Sequence, residues 1–96
     1  MGTGSGISEG RADYKAPGGK LIRVRVRHRD GIIESIMFNG DFFIHPEEAI
    51  EELEQGLKGK SIDEAYDIID SFFERVESAG AGPDDFKNAL RLAIKE

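Results

Sequence analysis

Ninety-six residues carrying a net charge of −6 support one domain at most, with a core that covers only about 60–65% of the unfolded surface. The chain has no cysteine. That excludes thiol catalysis, zinc–thiolate sites and cysteine-ligated iron–sulfur clusters, and it suits a reducing compartment. No apolar run approaches the 18 or more residues of a membrane span, and the N-terminus lacks a signal-peptide pattern, so a cytoplasmic protein away from the membrane is expected.

The charge is unevenly placed. Residues 1–31 hold seven Lys/Arg against three Asp/Glu, a balance of +4, whereas residues 32–96 hold six against sixteen, a balance of −10. A dipolar surface of this kind suits an oriented protein partner better than a bulk polyanion.

Residues 1–13 read as a flexible leader of the kind an expression scar leaves, and residues 14–96 as a single domain. Lys15-Ala-Pro-Gly-Gly-Lys20 is a glycine-rich, doubly basic loop. From Lys20 to Arg29 the pattern alternates strictly: Ile22, Val24 and Val26 on one side, Arg23, Arg25, Arg27 and Arg29 on the other. Period two over this length predicts a half-buried strand. Asp30-Gly31 predicts a tight turn into a second strand, Ile32 to Phe38. There Ile33 has the opposite parity to Ile36 and Phe38, so either both faces are partly buried or a bulge lies near Glu34-Ser35, and the bulge is the favoured reading. Asn39-Gly40 is a hairpin signal, and Asp41 to Ile44 reads as a third strand closing a meander.

Helices follow. Pro46 suits a first helical position, with Glu47 and Glu48 at the favoured end of the dipole and Ala49, Ile50, Leu53 and Leu57 as the apolar stripe up to Gly59. Ser61-Ile-Asp-Glu64 is a capping box for a helix whose stripe runs from Ile62 through Val76, ending near Gly80. Pro83 starts a last helix carrying Phe86, Ala89, Leu90, Ala93 and Ile94. Three strands and then three helices predict an α+β, two-layer domain, a three-stranded antiparallel meander with the helices packed on one face.

Little in the chain could catalyse. His28 and His45 are better explained as edge or turn residues than as general bases, and the serines lack a nucleophile elbow. Asp41, His45, Glu47 and Glu48 follow no known metal-ligand spacing. The loop differs in kind. Gly18 and Gly19 let backbone N–H groups approach an anion and Lys15 and Lys20 add positive charge, although the spacing is not that of a Walker loop. It reads either as a phosphate or adenylate contact or as a flexible lead-in to an edge strand. The arginine row reads either as edge protection or as a docking face. Nucleic acid is disfavoured by the acidic remainder and by the lack of interleaved aromatics.

Lys15-Ala-Pro-Gly-Gly-Lys-Leu-Ile22, Asp30-Gly-Ile-Ile33, Asn39-Gly-Asp-Phe-Phe43 and Leu53-Glu-Gln-Gly-Leu-Lys-Gly59 together resemble the C-terminal accessory domain of lipoate–protein ligases, over roughly residues 14–94. With no catalytic domain in front, the chain is similar to the separate small subunit of the two-component, archaeal-type enzyme. The resemblance implies a non-catalytic subunit, inactive alone, that forms a heterodimer with the catalytic subunit. The complex would use ATP, Mg²⁺ and lipoate to make lipoyl-AMP, then pass the lipoyl group to a lysine of lipoyl carrier domains; this chain alone would bind no cofactor or metal. In that setting Lys15, Gly18, Gly19 and Lys20 are the candidate adenylate or active-site-loop contacts, and Arg23, Arg25, Asp41, Phe42 and Phe43 the candidate partner contacts. The alternative is a free-standing protein- or nucleic-acid-binding module using the arginine strand. The fold is also similar to that of iron–sulfur scaffold proteins, whose function rests on cysteines that this chain lacks.

Overall fold

In the computed structural model, which describes residues 7–18 and 20–95, the arginine-bearing stretch is the middle strand of a sheet. Strand β1 spans Ile7–Lys15, β2 Leu21–Arg29 and β3 Ile32–Gly40, in the antiparallel order β1-β2-β3. Ile22, Val24 and Val26 turn inward and are almost wholly buried. The arginines between them face solvent. Burial of each such aliphatic side chain is worth about 1.5–3 kcal/mol, so the alternation alone commits β2 to one orientation.

Residues 7–13, expected to belong to a leader, are instead most of β1. Ile7 to Lys15 pairs with Arg29 to Leu21 without a break. The strand alternates too, with Glu9, Arg11 and Asp13 outward and Gly10, Ala12 and Tyr14 inward. Gly10 is where the helical layer comes closest: a Cβ there would overlap the backbone carbonyl of Ala93. Small inward residues weaken the hydrophobic signal while permitting the contact.

Of the two readings of β3, the bulge is the one the structure adopts. Arg27 faces Ser35 and His28 faces Ile33, so Glu34 is the extra residue. The register slip carries Ile33, Ile36 and Phe38 onto one buried face. Asp30 and Gly31 both adopt positive φ, 53° and 79°, as a two-residue type I′ hairpin requires.

The expected third strand is elsewhere. Asn39 and Gly40 make no turn; they finish β3, and Asp41 donates its N–H to the Leu21 carbonyl at 2.9 Å. A side chain at Gly40 would strike that same carbonyl, so close backbone approach is what requires glycine here. Beyond the corner, β4 (Phe43–His45) pairs with β5 (Glu77–Ala79) as a separate two-stranded ribbon. The sheet is three-stranded as expected, but β1 supplies the third strand.

Helices α1 (Ala49–Leu57), α2 (Ile62–Phe73) and α3 (Pro83–Lys95) pack on the inner face, giving the two-layer α+β arrangement. The first begins later than Pro46 suggests. An Ala49 N–H to Pro46 carbonyl bond of 3.0 Å closes a turn before the helix proper. The second ends at Phe73, so Glu77–Ala79, expected as helix, is β5. Its start is as expected: Ser61 and Glu64 exchange hydrogen bonds of 3.0 and 3.1 Å in a reciprocal box. The free edge of β3 is covered. Ile33 bonds the Lys60 carbonyl and the Gly59 N–H, and the Phe38 N–H donates to the Glu54 carboxylate at 2.8 Å. Phe86 of α3 gathers Phe38, Phe42 and Phe73 within 5.0 Å between ring centroids.

Candidate functional site

Helices cover one face of the sheet and leave the other open, and the basic loop stands at one end of the β1–β2 pair. The loop is a hairpin connection, not a lead-in. Lys15 faces Leu21 in the last pair of the ladder, and the Ala16 N–H donates to the Lys20 carbonyl at 2.7 Å. Ala16 is buried and anchors the turn at Pro17-Gly18, where Gly18 takes a φ of 95°. Gly19 lies outside the described residues. Both feet of the turn are thus pinned by backbone hydrogen bonds.

Its two lysines point to different neighbours. Lys15 continues the outward row of Arg11 and Asp13 on the open face. The stem of Lys20 lies against Gly80, its Cγ 3.3 Å from where a Cβ would stand, with the Asp41 carbonyl 3.4 Å from the same point. Thus the loop, the Gly-Asp-Phe-Phe corner and the turn after β5 meet at one end of the molecule. Both lysines are exposed, and among the described residues neither is held in an ion pair.

The corner divides its residues. Phe42 lays its half-buried ring edge-on to Phe86 at 5.0 Å and belongs to the core. Phe43 is 56% exposed, its ring 6.4 Å from that of His45, and Asp41 is exposed beside it.

Across the open face the charges form three cross-strand ranks. Glu9 faces Arg27 and pairs with it at 3.3 Å; Asp13 faces Arg23 and pairs at 3.7 Å. Between them Arg11 faces Arg25, and Met37 of β3 stands next in the same rank, 53% exposed. Arg23 and Arg25 were legible from β2 alone. Arg11 and Met37 were not, although the odd-numbered charges of β1 carry the same period-two signal. Because β2 is the central strand, its arginines cannot be serving to protect a sheet edge.

Among the described residues no charged or polar side chain is buried, and no group of three or more His, Asp or Glu is placed to hold a metal ion. The two clear pKa shifts are structural. Ser61 holds the Glu64 carboxyl down through hydrogen bonds from its backbone and then its side chain, and Asp70 holds Lys87 up across α2 and α3 at 2.8 Å. No described helix is long and apolar enough to cross a membrane.

A helix-backed, three-stranded antiparallel sheet with one open, charged face defines a two-layer α+β domain. The chain belongs to the lipoate–protein ligase C-terminal family, matching the family described as "Bacterial lipoate protein ligase C-terminus" over residues 11–90. It is 42% identical over 81 residues to "Lipoate-protein ligase A subunit 2" of Thermoplasma acidophilum, covering 83% of this chain and 85% of that one. It is also similar, with a TM-score of 0.74 and 37% identity, to a chain from the structural analysis of "a bi-partite lipoate protein ligase and its E2 lipoyl domain" from the same organism. That match covers 88% of this chain and 94% of the other.

Proposed function

We propose that this chain is the small subunit of a two-component lipoate–protein ligase, acting in the cytoplasm with a catalytic subunit to activate lipoate with ATP to lipoyl-AMP. Transfer to a lysine of a lipoyl carrier domain follows on the catalytic subunit. The observation that carries the reading is the near full-length match to a protein that is itself a ligase's second subunit. The geometry supports an accessory role: the exposed cations sit at the feet of a hairpin and on an open sheet face, surfaces for meeting another protein.

Within that reading Lys15, Gly18, Gly19 and Lys20 contact the adenylate or the loop that closes over it. Ordered donors acting on phosphate in a water-excluded site are worth far more than in water. Of the two lysines Lys20 is the one beside the Gly-Asp-Phe-Phe corner, its stem running past Gly80 and the Asp41 carbonyl.

Lipoate-dependent exchange between ATP and pyrophosphate tests the reading. Mixing this chain with the catalytic subunit should switch the exchange on; equal rates with and without it overturn the assignment. Lys20→Ala should spare complex formation and slow lipoyl-AMP synthesis by roughly tenfold to a hundredfold, the loss of one charge-assisted contact. A variant that activates lipoate at the normal rate removes the lysine from the adenylate site.

A further inference from the structure

The middle rank of the open face is built against its own stability. Like charges directly opposite one another in an antiparallel pair repel, yet Arg11 and Arg25 occupy such a position. Their neighbours do not relieve them. Glu9 and Asp13, the carboxylates on either side along β1, are engaged by Arg27 and Arg23. Among the described residues Arg11 and Arg25 have no hydrogen-bond or ion-pair partner. Beside them Met37 exposes an adaptable apolar side chain, and the three border a hollow of about 550 Å³ that the paired Glu9 and Arg27 also line. Two exposed guanidiniums on one hollow, with Met37 beside them, suit a carboxylate carried on a partly apolar segment.

We propose that Arg11, Arg25 and Met37 form the centre of the surface by which this chain docks on the catalytic ligase subunit, receiving an acidic side chain of that subunit between the two guanidiniums. The inference rests on the two-subunit reading above and adds the place of contact. Continuity favours this occupant. Arg25 is four residues from Leu21 at the foot of the basic hairpin, about 13 Å along a strand. Lys15 extends the row that holds Arg11. A partner that meets Lys15 at the foot of the hairpin therefore lies beside the rank that Arg11 and Arg25 form on the same two strands. The flanking ion pairs then act as a frame, holding Arg23 and Arg27 to their own carboxylates and leaving one unsatisfied cationic rank.

The test uses Arg11→Glu, which places opposite charges across the strands and so should fold at least as stably as the parent. Affinity for the catalytic subunit of the same organism is measured by titration calorimetry at low and high salt, alongside thermal melts. Expected is a melting temperature no lower than the parent's with binding weakened about tenfold or more, while Lys58→Glu, the same charge change on the helical layer, stays within about twofold. Arg25→Ala, which removes one guanidinium and reverses no charge, should also weaken binding. If the parent chain binds and both Arg11→Glu and Arg25→Ala bind equally well, the docking site is overturned and the two-subunit reading stands. If Lys58→Glu weakens binding as much as Arg11→Glu, the effect is one of overall charge and the site is likewise overturned. Absence of binding by the parent chain overturns both.

Discussion

Ser61 shows how a single side chain sets an element boundary. Its hydroxyl accepts from the Glu64 N–H, its own N–H donates to the Glu64 carboxylate, and α2 begins one residue later. Ser61→Ala should cost about 1 kcal/mol and lower the melting temperature by roughly 4–8 °C, readable by circular dichroism. The carboxylate half of the box has a pH signature. Because the folded Glu64 pKa lies below its ordinary 4.5, the contribution is complete above that value and is lost as pH falls through the lowered pKa. The stability gap between the parent and Glu64→Ala should therefore narrow on acidification. A gap that is constant with pH would remove the ionised carboxylate from the cap.

At the scale of elements, the decisive contact is the approach of α3 to β1. Ala89 and Ala93 are fully buried, and the Ala93 carbonyl lies over Gly10 so closely that no side chain fits between them. Gly10→Val should push helix and strand apart at a cost of about 3 kcal/mol, lowering the melting temperature by upwards of about 10 °C. A neutral outcome in a thermal melt would mean that β1 is not seated as described. The same contact explains why β1 escaped the sequence pattern. Inward residues chosen for closeness are Gly and Ala, and these carry almost no hydrophobic signal. By contrast Ile33, Ile36 and Phe38 are large, and their broken parity pointed to a bulge near Glu34-Ser35, which the pairing places at Glu34.

For the molecule as a whole, β1 is the difference between a sheet of two strands and one of three. Removing residues 1–13 strips most of the β1 ladder from β2 and uncovers the small face of α3. The shortened chain should lose its cooperative thermal transition or aggregate through the exposed strand. A disposable leader would instead leave the melt unchanged. The overall asymmetry of charge also acquires a location. The basic excess of residues 1–31 lies on β1, β2 and the hairpin between them, while the acidic excess lies on the chain that follows, most of it helical.

Much of this was determined locally and could be read without coordinates: the β2 alternation, the Asp30-Gly31 turn, the Glu34 bulge, the capping box and the start of α3 at Pro83. Each depends on neighbours within a few residues, through side-chain period, backbone φ or a short hydrogen bond. Family membership was legible for the same reason, since its motifs are contiguous. Tertiary structure alone decided what depends on distant partners. It paired β4 with β5 across more than thirty residues, turned Asn39-Gly40 from a hairpin into the end of a strand against Leu21, and brought Lys20 to Gly80. It also set Arg11 opposite Arg25, because strand register is a property of two segments and neither one carries it alone.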